Sequence, residues 1–219
     1  MNPTGPLRGL VVDWGGVLTT DIGSAVGQWA EADGIDLGDY QALMGQWFGD
    51  AVALEARLNP VHALERGELS GPDFERRLAE GLSARAGRPV GTEGLLDRMF
   101  RYFEHAPDMT GLVLRARHAG LRTALLSNSW GNSYPRDGWD ELFDVVVISG
   151  EVGMRKPEPE IFTHTLDLIG LAAAECVFVD DLAHNVAAAV ELGFVGVRHR
   201  SYDETVTELE ALFGLRLRG

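Results

Sequence analysis

Short, branched apolar runs alternate with longer stretches of helical periodicity at the start of the chain and again from about residue 106 onward. The runs are Leu10 to Asp13, Thr123 to Ser127, Val145 to Ser149, Val177 to Asp180 and Val195 to Val197. Each is too short for a helix and lacks polar alternation, so they read as buried strands of a parallel sheet. The helical stretches between them stop at glycine: 111–119 at Gly120, 157–169 at Gly170, 183–192 at Gly193 and 204–213 at Gly214. A glycine just past the last turn takes the left-handed conformation that closes a helix. Strand alternating with helix predicts an α/β core built on a doubly wound parallel sheet.

The stretch 20–105 follows a different rule. Tyr40, Leu43, Met44, Trp47 and Phe48 recur at helical spacing, as do Phe74, Leu78 and Leu82, and then Leu95 or Leu96, Met99 and Phe103. No strand signal, internal repeat or low-complexity tract interrupts them. The expected division is an α/β core from 1–19 and 106–219, with an all-helical insertion at 20–105.

Ligands of open α/β sheets sit beyond the C-terminal ends of the strands. The polar residues expected there are Asp13, Ser127, Ser149, Asp180 and Asp181, with Lys156 in a loop before a helix that Pro157 is expected to open. A nucleophilic carboxylate, a hydroxyl, a lysine and a carboxylate pair thus share one edge, and helix N-termini there suit a phosphate.

Charge sharpens this picture. The chain carries 33 acidic and 19 cationic side chains, for a net charge of −14. That balance argues against nucleic acid and anionic membrane surfaces as partners. One cysteine, Cys176, gives no sign of an oxidising compartment, and its place beside a strand reads as apolar filling. The N-terminal residues carry no targeting pattern and no apolar run approaches 18 residues, so the expected location is cytoplasmic. Of the 19 cations 18 are arginine, and the single lysine is Lys156. A compact ammonium bridges a carboxylate and a phosphoryl oxygen where arginine's planar fork fits poorly.

Taken alone, several of these residues have bland readings. Asp13 before Gly15 and Gly16 is either a nucleophile beside a backbone that approaches its ligand closely or a turn cap. Ser127 and Asn128 offer donors for phosphoryl oxygens but also form a common turn. Trp130 and Asn132 either shape a pocket or pack. The six histidines lack metal-ligand spacing, although His184 lies close to the aspartate pair. Asp180 and Asp181 are more telling, because adjacent carboxylates repel and hard oxygen ligands suit Mg²⁺. With Asp13 and a phosphate dianion they total −5, which Lys156 raises only to −4. At an effective dielectric of about 20, each like-charge pair near 4 Å costs about 4 kcal/mol, so a divalent ion is expected.

VVDWGGVLT at 11–19, ALLSN at 124–128, GMRKPEPEIF at 153–162 and VFVDDLAHN at 177–185 resemble the four ordered motifs of the haloacid dehalogenase (HAD) superfamily. GMRKPEPEIF, the aspartate pair and ALERGELSGPDFE at 63–75 are more similar to the branch holding the phosphatase domain of soluble epoxide hydrolase and bacterial sugar-1-phosphate phosphatases. The resemblance implies a Rossmann-like core with a helical cap between the first two motifs. It further implies a Mg²⁺-dependent phosphatase, with Asp13 as nucleophile, Ser127 and Lys156 assisting, and Gly15, Gly16, Ser127 and Asn128 holding the phosphoryl group. Asp13, the Gly15 carbonyl and Asp181 are the implied metal ligands, with Asp180 close behind. The implied partner is a small phosphorylated metabolite; neither its identity nor the oligomeric state is legible.

One departure matters. Most HAD phosphatases place a second aspartate, a general acid–base, where this chain has Gly15. Such help is typically worth about 10² to 10⁴ in rate. The expectation is therefore a substrate with a good leaving group, such as an acyl phosphate or an anomeric sugar phosphate. Alternatives are a metal-free dehalogenase, disfavoured by Asp180 and Asp181, and phosphonoacetaldehyde hydrolase, which needs a lysine the insertion lacks. A degenerate fold acting as a non-catalytic binding module also fits Gly15.

Overall fold

The computed structural model describes residues 6–49, 59–131 and 134–219; Asn132 falls outside them. Five parallel strands form one sheet: β1 (Gly9–Val12), β2 (Arg122–Ser127), β3 (Val145–Ile148), β4 (Cys176–Asp180) and β5 (Val195–Arg198). Their order is β3-β2-β1-β4-β5, so the chain winds outward from β1 in one direction and then in the other. Side-chain alternation divides the sheet into two faces. Leu10 and Val12 point to one, where α6 (Pro107–His118) and α11 (Tyr202–Phe213) pack through Leu112, Val113, Val206 and Leu209. Val11 points to the other, where α9 (Pro159–Ile169) and α10 (Ala183–Glu191) supply Ile161, Phe162 and Ala189. Two short helical turns, α7 (Trp139–Leu142) and α8 (Ser149–Val152), flank β3 along the chain. Both faces are covered, which is why the strands read as continuous apolar runs.

Cys176 lies inside β4 rather than ahead of it, fully buried, and burial pushes its thiol up to about 12. Gly170 and Gly214 cap α9 and α11 in the left-handed conformation. The start of α9 differs from expectation. Pro157 stands outside the helix, joined to Lys156 by a cis peptide bond, and Pro159 opens it instead. A residue before proline is driven to extended geometry, and Glu158 adopts it with ψ 134°; Pro159 then takes the first helical position with its φ already set.

Between β1 and α6 the described elements are all helical: α1 (Ile22–Ala32), α2 (Leu37–Gly49), α3 (Pro60–Glu65), α4 (Gly71–Ala86) and α5 (Leu95–Phe100). They bury an apolar cluster of their own, including Trp29, Tyr40, Phe74, Leu78 and Met99. Phe103 follows α5 rather than belonging to it. The two connections to the sheet run side by side, with Thr19 bridged to His105 and the Ala106 N–H donating to the Leu18 carbonyl at 2.9 Å. A second contact joins the helices to the loop before α9. The Glu65 carboxylate at the end of α3 accepts from Arg155 Nε at 2.5 Å, and Arg66 pairs with Glu158.

Candidate functional site

β1 and β4 are neighbours at the point where the winding direction reverses, the position at which open α/β sheets bind ligands. Asp13 follows β1 and Asp180 ends β4, and the Asp13 N–H donates to the Val179 carbonyl at 2.9 Å. Lys156 reaches in from the loop before α9, completely buried. Its Nζ donates to Asp13 Oδ1 at 2.8 Å and to Asp180 Oδ2 at 2.7 Å. Burial works against its charge, yet Asp13 and Asp180 outweigh that and hold its pKa above the ordinary lysine value.

The two neighbouring aspartates have different surroundings. Asp180 is saturated: Oδ1 accepts from the Leu182 N–H at 2.8 Å, Oδ2 from Lys156, and Asn185 Nδ2 lies 3.1 Å from both oxygens. Among the described residues Asp181 has a buried Oδ1 with no partner, and Asn185 Oδ1 is orphaned in the same way. Burial, reinforced by Asp180, pushes the Asp181 carboxyl up to about 6. Burial also pushes Asp13 up to about 7, with Lys156 drawing it down and Asp180 adding to the rise. One carboxylate oxygen from each of Asp13, Asp180 and Asp181 lies within 4.8 Å of the others. Three clustered carboxylates and an orphaned buried oxygen make a hard donor set that fits Mg²⁺.

On Asp13, Oδ1 also accepts from the Trp14 N–H at 2.7 Å, whereas Oδ2 has no hydrogen bond among the described residues. Gly16 has φ 72°, and a Cβ there would lie 2.7 Å from Asp181 Oδ2, so any other residue is strained and displaces that carboxylate. Its N–H is engaged by Thr19 Oγ1 at 3.0 Å. Gly15 is different, because a Cβ there would meet nothing closer than Ile22 Cδ1 at 3.5 Å.

Ser127 Oγ lies 2.9 Å from Tyr134 Oη, and burial raises the Tyr134 pKa, so the phenol stays protonated. Asn128 lines the same cavity, but its amide is engaged by the Lys156 backbone at both ends. Ser149 does not join the group: it opens a short helical turn, accepts from the Ser129 N–H and donates to the Glu65 carbonyl. His184 is exposed on α10 and does not line the cavity. Trp130 does line it, with its ring centroid 5.5 Å from that of Phe74 and its Nε1 donating to Glu65 Oε1 at 3.2 Å.

Four participants had no assigned role in the sequence reading: Asn185, Tyr134, Glu65 and Arg155. Asn185 offered a signal, since it falls in the first turn of the helix after Asp180 and Asp181. Tyr134 follows Ser127 by seven residues and Arg155 precedes Lys156, but the Glu65–Arg155 pair forms only by contact across 90 residues.

A parallel sheet that reverses its winding beside a buried carboxylate–lysine centre makes this an α/β protein with its polar groups gathered at the switch point. The chain belongs to the haloacid dehalogenase-like hydrolase family, whose model matches residues 7–193. It is 45% identical over 157 residues to the sesquiterpene phosphatase astK of Aspergillus oryzae, covering 68% of this chain and 77% of that protein. It is 30% identical to mouse acyl-CoA dehydrogenase family member 10 and 26% identical to pig bifunctional epoxide hydrolase 2, each over 96% of this chain. It spans only 19% and 40% of those two longer relatives. Among solved structures, a HAD-like family hydrolase from Porphyromonas gingivalis shares the fold, with TM-score 0.65, 23% identity, and coverage of 94% of this chain and 98% of that one. No described helix is long and apolar enough to cross a membrane.

Proposed function

We propose that the chain is a Mg²⁺-dependent phosphatase acting on a small phosphate monoester through an aspartyl-phosphate on Asp13. The observation carrying this reading is the buried Lys156 ammonium held by Asp13 and Asp180, while Asp13 lines the cavity and its Oδ2 has no hydrogen bond among the described residues. The phosphatase named among the relatives supports it. Residues 20–105 are read as a helical cap over a core of 1–19 and 106–219.

Asp13 Oδ2 attacks phosphorus, the ester bond breaks, and the alcohol departs with a proton from solvent. Water then attacks the phosphorus of the acyl phosphate, releasing inorganic phosphate and restoring the Asp13 carboxylate. Lys156 balances the charge of the transferring group, and its fixed position spares reorganisation during the reaction. The Ser127 hydroxyl orients a phosphoryl oxygen, with Tyr134 holding that hydroxyl in place. Asp13, Asp181 and the Gly15 carbonyl are suited to hold Mg²⁺, whereas Asp180 anchors Lys156 from behind. A bound Mg²⁺ neutralises charge on the phosphoryl oxygens. Gly15 leaves no acid beside the leaving group, which favours substrates needing little protonation.

The test is phosphate release from a panel of esters, including acetyl phosphate and sugar 1-phosphates, with and without Mg²⁺. Mg²⁺-dependent release abolished by Asp13→Asn is expected. Release that persists in Asp13→Asn contradicts the reading. No release from any ester favours the non-catalytic binding module that Gly15 also permits.

A further inference from the structure

We infer that the group esterified to the phosphate is apolar, a hydrocarbon skeleton of about nine carbons within the cavity, and that it carries a single phosphoryl unit. This rests on the phosphatase reading and names the substrate class of the same site.

A cavity of about 390 Å³ rises from Asp13, Ser127 and Lys156 into the helical layer. At about 30 Å³ for each water-sized group that is room for roughly thirteen, of which a phosphoryl group at the floor takes about four and leaves about nine for carbon. Its walls are Trp14, Ile22, Val26, Met44, Phe100 and Phe103, so apolar side chains from α1, α2 and α5 face the site across the gap. The polar side chains cluster at the floor, and most of the others are already engaged. Glu65 is held by Arg155 and Trp130, and the Tyr134 hydroxyl by Ser127 and the Asn128 carbonyl. Apart from the Trp14 indole and Asn185 at the floor, Tyr40 and Gln41 are the remaining polar side chains among the described lining residues.

A sugar or amino-acid phosphate would lose water from several hydroxyl, amine or carboxylate groups here and find few partners for them, which is unfavourable. A hydrocarbon loses nothing by the same transfer and gains by leaving water. The rim continues the pattern: Leu37, Phe48 and Leu182 line the cavity and remain exposed, an apolar mouth between helical layer and sheet. Lys156 is the lone cationic side chain among the described lining residues, so a second phosphoryl group would lack a counter-charge.

The experiment is a kcat/KM series over straight-chain alkyl monophosphates from two to twelve carbons. It is run beside glucose phosphate, phosphoserine and dodecyl diphosphate. Binding of ethylphosphonate and dodecylphosphonate to Asp13→Asn is measured by calorimetry in parallel. Efficiency is expected to rise about fourfold per methylene until the cavity is full, the transfer free energy of one CH₂ expressed as a rate ratio. Dodecylphosphonate should bind at least 100-fold more tightly than ethylphosphonate, and the diphosphate should be the poorer dodecyl substrate. Val26→Thr, nearly isosteric, should lower the ratio of long-chain to short-chain efficiency, and Met44→Glu should lower it further. A flat chain-length series, or polar esters matching the dodecyl ester, overturns the inference while leaving phosphatase chemistry in place. Tail-dependent phosphonate binding without turnover of any ester overturns the phosphatase reading and keeps the apolar pocket.

Discussion

Both ends of the Asn128 amide are hydrogen-bonded to the backbone of Lys156: Oδ1 accepts from its N–H at 2.8 Å and Nδ2 donates to its carbonyl at 3.0 Å. The residue after β2 therefore fixes a residue of the loop before α9. The Lys156 side chain enters between two carboxylates from a backbone clamped on both sides. Asn128→Ala removes the clamp and leaves backbone groups unpaired, at about 1–3 kcal/mol each where they are buried. The expected result is a kcat lower by about 10- to 100-fold with KM little changed. A pure KM effect would instead mark Asn128 as a substrate contact.

Removing the ammonium itself is more costly. Lys156→Ala leaves Asp13 and Asp180 buried without their counter-charge, an expected loss of about 3–5 kcal/mol. Thermal denaturation should show a fall of about 10 °C for a chain of this size. Lys156→Arg keeps the charge but not the compact shape, and activity is expected to drop at least about 100-fold. Full activity in Lys156→Arg would remove the reason for placing the chain's single lysine there.

Asp180 and Asp181 should separate cleanly. Asp181→Asn removes a charge that burial and Asp180 already disfavour, so the metal-free protein should melt at the same temperature or higher. Its rise in melting temperature on adding Mg²⁺ should vanish. Asp180→Asn loosens the hold on Lys156 and should lower the melting temperature with or without Mg²⁺. The reverse pattern in a thermal-shift titration would exchange their roles.

Gly15 and Gly16 look alike in sequence and are not alike in the fold. Gly16 adopts a left-handed conformation beside Asp181, so Gly16→Ala should cost stability and weaken the Mg²⁺ response. Gly15 is constrained by neither φ nor space. Gly15→Asp should fold and supply the missing acid, raising turnover of esters with poor leaving groups by about 10². An unchanged ratio between poor and good leaving groups would show that protonation does not limit the reaction.

His62, on α3, has a buried Nδ1 without a partner among the described residues, and burial together with Arg155 and Arg66 pushes its imidazole down to about 4. A folded pKa below the unfolded value of about 6.5 means that the unfolded chain takes up the proton first as pH falls. This contribution to stability is complete above pH 6.5 and is lost progressively toward pH 4. His62→Gln should flatten that part of a stability–pH profile, and an unaltered slope would contradict the assignment.

The core was legible because its signals are local. Branched runs such as Val177 to Val179 and stops such as Gly170 and Gly214 depend only on near neighbours. The convergence of Asp13, Ser127, Lys156 and the aspartate pair followed from the rule for strand ends. The start of α9 was misplaced because two prolines competed for one helical position, and geometry before Pro159 decided between them. That the Asn128 side-chain amide is engaged 28 residues away was not legible, because nothing local shows it. Glu65 and Arg155 meet across 90 residues, and the apolar cavity is assembled from helices whose facing sides no periodicity assigns.

The covalent step on Asp13 has a direct chemical readout. The enzyme is mixed with Mg²⁺ and a rapidly hydrolysed ester, quenched with acid within one turnover and reduced with borohydride. Peptide mass spectrometry is then used to find homoserine, the reduction product of an aspartyl-phosphate. The expected result is homoserine at position 13, dependent on substrate and absent from Asp13→Asn. Phosphate released at the same rate with Asp13 unmodified, or homoserine at another aspartate, would contradict the assignment of Asp13 as nucleophile.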